Sequence, residues 1–263
     1  MDEEHSMKEI GDDIIQLLKK ADYASEVGRP DLVLDCGFQI LKLVPEHFLG
    51  YMTLAIGYFS SGDIVASQEA IDKSIASNAE FADTWDLKGL ITHYGTQKID
   101  EAILYFQKAL DLDPECVAAI VHYAGAELDL GHLDRAEELV MQATKLDPER
   151  KECPLLLGMI YTKRGQLEEA ETFYREALRI NPESLLVHLN YGHYLMVNRN
   201  DPKKAYPILK EAIRLNPDDK KAQDYYRQVV KEKSRDFGWD YKLWMGLLLV
   251  GLLLSFVFKF GMD

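Results

Sequence analysis

The chain has 263 residues, room for one or two globular domains, and is rich in Leu, Ala, Tyr and Glu with few Pro and Gly, a composition that favours helices. Its 44 Asp and Glu against 30 Lys and Arg leave a net charge of -14, which argues against nucleic acid as a partner, because phosphate binding depends on Lys and Arg releasing counterions. Cys36, Cys116 and Cys153 are odd in number and show no paired spacing, which argues against a disulfide framework or a zinc site and fits a reducing compartment.

The chain opens on Met-Asp-Glu-Glu-His-Ser, acidic where an export signal is basic and then apolar, so a cytosolic start is expected. Ser6-Met-Lys-Glu9 reads as a capping box that begins the first helix. From about Ile14 to Asp219 the sequence then repeats itself. Pro114, Pro148 and Pro182 lie 34 residues apart and close the strings Leu112-Asp113-Pro114, Leu146-Asp147-Pro148 and Ile180-Asn181-Pro182, a series that Val44-Pro45 and Asn216-Pro217 extend. Five residues before each Pro stands Ile40, Ala109, Ala143, Ala177 or Ala212, and seven before those Val33, Ala102, Ala136, Ala170 or Ala205. Tyr51, Leu54, Ala55 and Tyr58, then Trp85 to Gly89, Leu157-Gly158 with Tyr161, and Tyr191-Gly192 with Leu195 mark the first half of successive units. Gly28, Gly62, Gly131 and Gly165 mark the turn between halves.

Small residues such as Gly158 and Ala170 let two antiparallel helices approach closely, with Tyr161 and Tyr174 filling the space toward the neighbouring unit. A Pro cannot continue a helix interior and keeps the residue before it extended, so it sets the boundary. Each unit leaves an apolar face that only the next can cover. The third unit (Ala82 to Cys116) and the sixth (Leu185 to Asp219) each carry one extra residue. It is expected in the turns, within Tyr94 to Lys98 and Asn198 to Pro202, where added length costs little closure entropy.

This pattern resembles the tetratricopeptide repeat, whose 34-residue form runs aromatic, Leu-Gly, Tyr, Ala, Phe, Pro. The unit from Lys151 to Ser184 carries Leu157, Gly158, Tyr161, Gly165, Ala170, Tyr174, Ala177 and Pro182 at those places. The resemblance implies an all-α fold: a right-handed superhelical solenoid of six antiparallel helix pairs, about 14–219 within a domain 1–236. Ala222, Tyr225, Tyr226, Val229 and Val230 at helical spacing predict a capping helix over about 220–235.

A linker over 237–242 leads to Leu243–Phe258, which carries no charge. With the residues to Met262 it predicts one transmembrane helix, 243–262, close to the roughly 30 Å of a hydrocarbon core. Lys242 and Lys259 are expected to snorkel to the interfaces, Trp244 to join an aromatic belt, and Leu248, Leu252 and Phe256 to face lipid. The expectation is a single-pass C-terminal tail anchor with the repeats on the cytoplasmic side, because Lys and Arg are in excess over 220–236, 6 against 3 Asp and Glu.

No Gly-rich phosphate loop, His-Glu-x-x-His or Gly-x-Ser-x-Gly is present. His188 and His193 do not share a helix face, His93 and His122 stand apart, and Glu137-Glu138 and Glu168-Glu169 read as solvated faces. No catalytic residue, metal, cofactor or small-molecule substrate is expected, and the chain is not expected to be an enzyme.

The resemblance further implies that the first helix of each unit lines a concave groove through its second, fifth, ninth and twelfth positions. Here the second position gives Leu49, Asp83, Ala118, Glu152 and Leu186, and the fifth and ninth give Met52 and Ile56, Asp86 and Leu90, Val121 and Gly125, Leu155 and Met159, and Leu189 and His193. The twelfth gives Phe59, His93, Leu128, Thr162 and Met196. Asn190 alone suits the Lys, Asn and Arg chemistry with which such modules hold a chaperone carboxylate. A mostly apolar, Met-bearing groove suits peptide or helix partners. The function expected is a protein-binding adaptor or scaffold at the cytoplasmic face of a membrane. The alternative is a chaperone-like receptor that passes clients to a membrane insertion, assembly or secretion machine.

Overall fold

A computed structural model of the chain describes residues 2–232. All regular structure among the described residues is helical. The elements are α1 (Asp2–Glu26), α2 (Pro30–Leu43), α3 (Phe48–Ser61), α4 (Ile64–Ser77), α5 (Ala82–Leu90) running on into a π-helical segment (Ile91–Thr96), and α6 (Ile99–Leu112). There follow α7 (Val117–Leu130), α8 (Leu133–Leu146), α9 (Glu152–Lys163), α10 (Leu167–Ile180), α11 (Leu185–Val197), α12 (Pro202–Leu215) and α13 (220–232). No helix among the described residues is long and apolar enough to cross a membrane. The predicted linker, the predicted span and its residues Lys242, Trp244, Leu248, Leu252, Phe256 and Lys259 lie outside the described residues.

Local chemistry accounts for the helix limits. Gly28, Gly62, Gly131 and Gly165 all take positive φ, between +66° and +85°, a region closed to most side chains. Asp63 caps α4 by accepting from the Ala66 N–H at 3.0 Å, and Asp201 caps α12 by accepting from the Lys204 N–H at 3.0 Å. The Asp or Asn before three of the closing prolines has a second task. The side-chain oxygens of Asp113, Asp147 and Asn216 accept from the N–H two residues on, at 3.0, 3.1 and 3.1 Å, forming Asx turns. Asn78 makes the same bond to the Glu80 N–H at 3.1 Å, so the unit that ends on Ala79 turns without a Pro.

Two of these limits differ from the sequence reading. α1 begins at Asp2, so Ser6–Glu9 lies inside it and opens nothing. The extra residue of the third unit sits not in the turn but in the π segment, ahead of the left-handed Gln97 (φ 60°). A π turn is wider than an α turn and leaves carbonyls short of donors. The Thr92 hydroxyl donates to the Lys88 carbonyl (2.8 Å) and the Thr96 hydroxyl to that of Thr92 (2.9 Å). Because the bulge fills the last turn of the helix, little of the helix follows to be rotated off its face. In the sixth unit the extra residue does fall in the turn after Val197, where Asn200 has φ 51°.

The chain divides into two compact units, Met1–Leu156 and Leu157–Asp263. In the first, each helix packs on the next from α1 to α8, and the first helices of the pairs also touch: α1 on α3, α3 on α5 and α5 on α7. The contact between paired helices is close because small residues face large ones. A Cβ on Gly89 would overlap the fully buried Phe106 ring. In the second pair serines replace alanines at such positions, and Ser67 and Ser74 donate to the Ala55 and Phe48 carbonyls, each at 2.8 Å. In the second unit Tyr174 stacks on Tyr191 and packs at a tilt on Tyr194 (centroids 5.6 and 4.9 Å), and Gly192 lies against Leu209. Ala222 of α13 joins Leu189 and Ala212 in a small core flanked by Leu185, Ile213 and Tyr225.

Candidate partner-binding surface

The predicted groove positions separate into two kinds. His93, Val121, Leu128, Leu155 and Leu189 are buried, each no more than 7% exposed. Position rules count along one helix, but in the first unit α1, α3, α5 and α7 also abut in turn, so a position on one first helix can be covered by another. Met52, Ile56, Phe59, Leu90, Met159 and Met196 are partly exposed, and His193 is exposed. Met52 and Phe59 lean on the core around Leu54 and Ile71, and Ile56 on that around Val33 and Cys36.

The seam between α5 and α7 is polar, against the expectation of an apolar stripe. His122 Nδ1 lies 2.8 Å from the Asp86 carboxylate, and His93 Nε2 lies 2.9 Å from that of Asp129. Near its start the Cys116 thiol donates to Asp83 at 3.6 Å. Neither His93 nor His122 is isolated, and no sequence pattern announced their partners, which lie 36 residues away. His188 is buried with Nδ1 2.9 Å from the Ser184 carbonyl, a packing role. Among the described residues no three His, Cys, Asp or Glu side chains converge as a metal-ligand set.

Between α4, α5 and α6 lies a cleft of about 300 Å³ whose polar side chains bond to one another. Lys88 pairs with Asp72 at 2.7 Å and lies 4.8 Å from the Tyr105 ring centroid, while the Tyr105 hydroxyl donates to Glu101 at 3.0 Å.

A different pocket lies in the second unit, between α11 and α13. It measures about 380 Å³ and is lined by Leu185, Leu186, Leu189, Asn190, His193, Asp219, Lys221 and Tyr225. Leu186 and His193, at second and ninth groove positions, are exposed, while Leu189, at a fifth, lines the pocket as a buried side chain. Leu186 is 60% exposed. The His193 ring packs on Tyr225 (centroids 5.0 Å), and burial, with the charge of Lys221 second, pushes its imidazole below the ordinary 6.5. The sequence reading missed Lys221 and Tyr225 as site residues because it gave α13 a sealing role alone. The helix both seals the core through Ala222 and forms one wall of the pocket.

Models of the tetratricopeptide repeat match residues 94–160 and 155–184. Residues 94–184 are tetratricopeptide repeats. The BBSome complex member BBS4 of Mus musculus is 30% identical over 121 residues, 46% of this chain and 23% of that protein. The mitochondrial import receptor subunit TOM70 of Mus musculus is 25% identical over 138 residues, 52% of this chain and 23% of that protein. The chain thus spans less than a third of the length of these curated relatives. The tetratricopeptide repeat protein TTC0263 of Thermus thermophilus superposes with a TM-score of 0.62 at 20% identity, over 70% of this chain and all of that one, a likeness of fold. Tetratricopeptide repeats mediate protein–protein interaction, and the α11–α13 pocket is a candidate site for it.

Proposed function

We propose that the chain is a non-enzymatic adaptor that captures segments of partner proteins in the α11–α13 pocket and is held at the cytoplasmic face of a membrane by residues 243–262. The observation that carries the capture site is the coincidence of the groove positions Leu186, Leu189 and His193 with an open pocket whose outermost leucine is 60% exposed. An apolar floor with a few polar groups at its edge is the usual composition of a recognition pocket. The tether is supported by the charge-free run Leu243–Phe258 and by the excess of Lys and Arg just before it.

A photo-crosslinking residue in place of Leu186, in the full chain in native membranes, tests the site. A discrete adduct is expected at Leu186 and none at Leu104, which is equally exposed (63%) but lies on α6. Equal yields at the two positions would remove the pocket from the mechanism. Alkaline carbonate washing tests the tether: the full chain should pellet with membranes and a chain ended at Phe237 should not. A second reading, a receptor that hands apolar client segments to a membrane machine, is favoured by the similarity to an import receptor subunit. Many different adducts at Leu186, in place of one, would select it.

A further inference from the structure

We propose that α12 and α13 form a seat for the anionic phospholipid headgroups of the bilayer that holds residues 243–262. This rests on the membrane tether and adds what the second unit does at the membrane surface.

Charge singles out this stretch. Residues 202–236 carry 10 Lys and Arg against 6 Asp and Glu, whereas residues 1–201 carry 18 against 36. An anionic bilayer therefore repels the chain as a whole and attracts this part of it. Burial sharpens the contrast. All eight Lys and Arg of residues 202–232 are exposed, while three of the five carboxylates there, Glu211, Asp219 and Glu232, are half-buried. Internal ion pairs do not remove the excess. Arg214 pairs with Glu211 at 2.7 Å and Arg227 with Asp224 at 3.0 Å, and those carboxylates are already in the count. Lys204 is shared by Glu171 and Asp201, at 3.7 and 3.8 Å, and setting it aside lowers the excess only from four to three.

The two helices bring these groups to one surface. Lys203, Tyr206, Lys210 and Arg214 follow at spacings of three, four and four, one face of α12, opposite its buried residues. On α13 Tyr226 and Val230 lie one turn apart, with Arg227 and Lys231 next to them in sequence. The rows are joined where the Tyr226 hydroxyl donates to that of Tyr206 at 3.3 Å, with ring centroids 5.7 Å apart. Tyrosines among cations, beside a Val230 that is 36% exposed, suit the headgroup layer. Rings and an aliphatic side chain enter it, while ammonium and guanidinium groups meet phosphate.

Chain continuity names the occupant. The described part of α13 reaches residue 232, eleven residues before Leu243, so at about 3.4 Å per residue it stays within about 37 Å of the proposed span. A surface tethered that closely meets headgroups at an effective concentration on the order of millimolar. Weak contacts that gain about fivefold per cation then suffice to hold it.

The test uses the full chain reconstituted in two sets of vesicles, phosphatidylcholine alone and phosphatidylcholine with about 30% phosphatidylserine. A fluorophore on Val230→Cys, read against headgroup-linked quenchers, reports seating, and the native thiols are buried. Quenching is expected to be at least about threefold stronger with phosphatidylserine, and to fall to the phosphatidylcholine level in about 0.5 M salt. Reversing three cations together, Lys203→Glu, Lys210→Glu and Lys231→Glu, should do the same at low salt, with helicity unchanged by circular dichroism. Equal quenching in the two vesicle sets, or quenching that survives salt or charge reversal, overturns the proposal; the first would leave these cations to an acidic protein. Alkaline carbonate separates the two readings: a chain that resists it but shows no lipid dependence keeps the tether and loses the seat. A chain that it releases loses the tether, and the seat with it.

Discussion

His93 Nε2 lies 2.9 Å from the Asp129 carboxylate, and two helical turns earlier the pairing reverses, with Asp86 2.8 Å from His122 Nδ1. Each of the two helices thus offers one acid and one histidine to the other. The buried members, His93 and Asp86, are only 2% and 6% exposed. The Nδ1 of His93 finds no partner among the described residues, so Asp129 carries that ring's hydrogen bonding.

Removing the acid should therefore cost more than its surface position suggests. Asp129→Ala is expected to destabilise the first unit by about 1–3 kcal/mol, the cost of leaving a buried polar group unsatisfied. Adding His93→Leu should return part of that loss, because the pair is then replaced by an apolar side chain. Urea unfolding of the two variants decides it: a double variant less stable than Asp129→Ala alone would refute the account.

Leucines at predicted groove positions should behave in two ways. Leu155 is 5% exposed, so Leu155→Ala should cost about 2–5 kcal/mol through the cavity it leaves. Leu186→Ala should change stability by no more than about 0.5 kcal/mol and weaken partner capture. Thermal unfolding, followed by binding measurements on the folded variants, separates the two.

Glycines are not equivalent either. Gly89→Ala forces a Cβ into the Phe106 ring and should cost about 1–3 kcal/mol by overpacking. Gly11, within α1, has open space around it, and Gly11→Ala should add up to about 1 kcal/mol through helix propensity. Denaturant midpoints should therefore move in opposite directions.

The thiols supply a pH test. Burial raises all three above the ordinary 9.0, Cys116 to about 11. A native thiol that holds its proton longer than the unfolded one means that stability declines as pH rises from about 9 to about 11. Cys116→Ala should flatten that decline, and alkylation of the native chain near neutral pH should be slow until it unfolds. Rapid labelling of the folded protein would contradict the burial.

Most of the fold was legible because it repeats. The closing prolines, the turn glycines and the small residues at fixed offsets act through local rules, and each acts in the structure where its spacing places it. The seam between α5 and α7 was not legible, since nothing within either helix specifies that Asp86 faces His122 or that His93 faces Asp129. Counting along a helix puts Leu186 beside the α11–α13 pocket but says nothing of burial, and Val121 and Leu128 are buried. The π segment escaped notice for another reason: a count of residues reports that one is extra, and only the Thr92 and Thr96 hydroxyl bonds determine where it goes.

That segment has a genetic consequence. A codon lost between Tyr94 and Gln97 would shorten a wide turn to an ordinary one and leave α6 and everything after it in phase. The same loss inside α6 would turn each later side chain of that helix by about 100° and bring polar residues inward. Two deletions of equal size, fewer than a dozen residues apart, would differ between a silent length variant and a null allele.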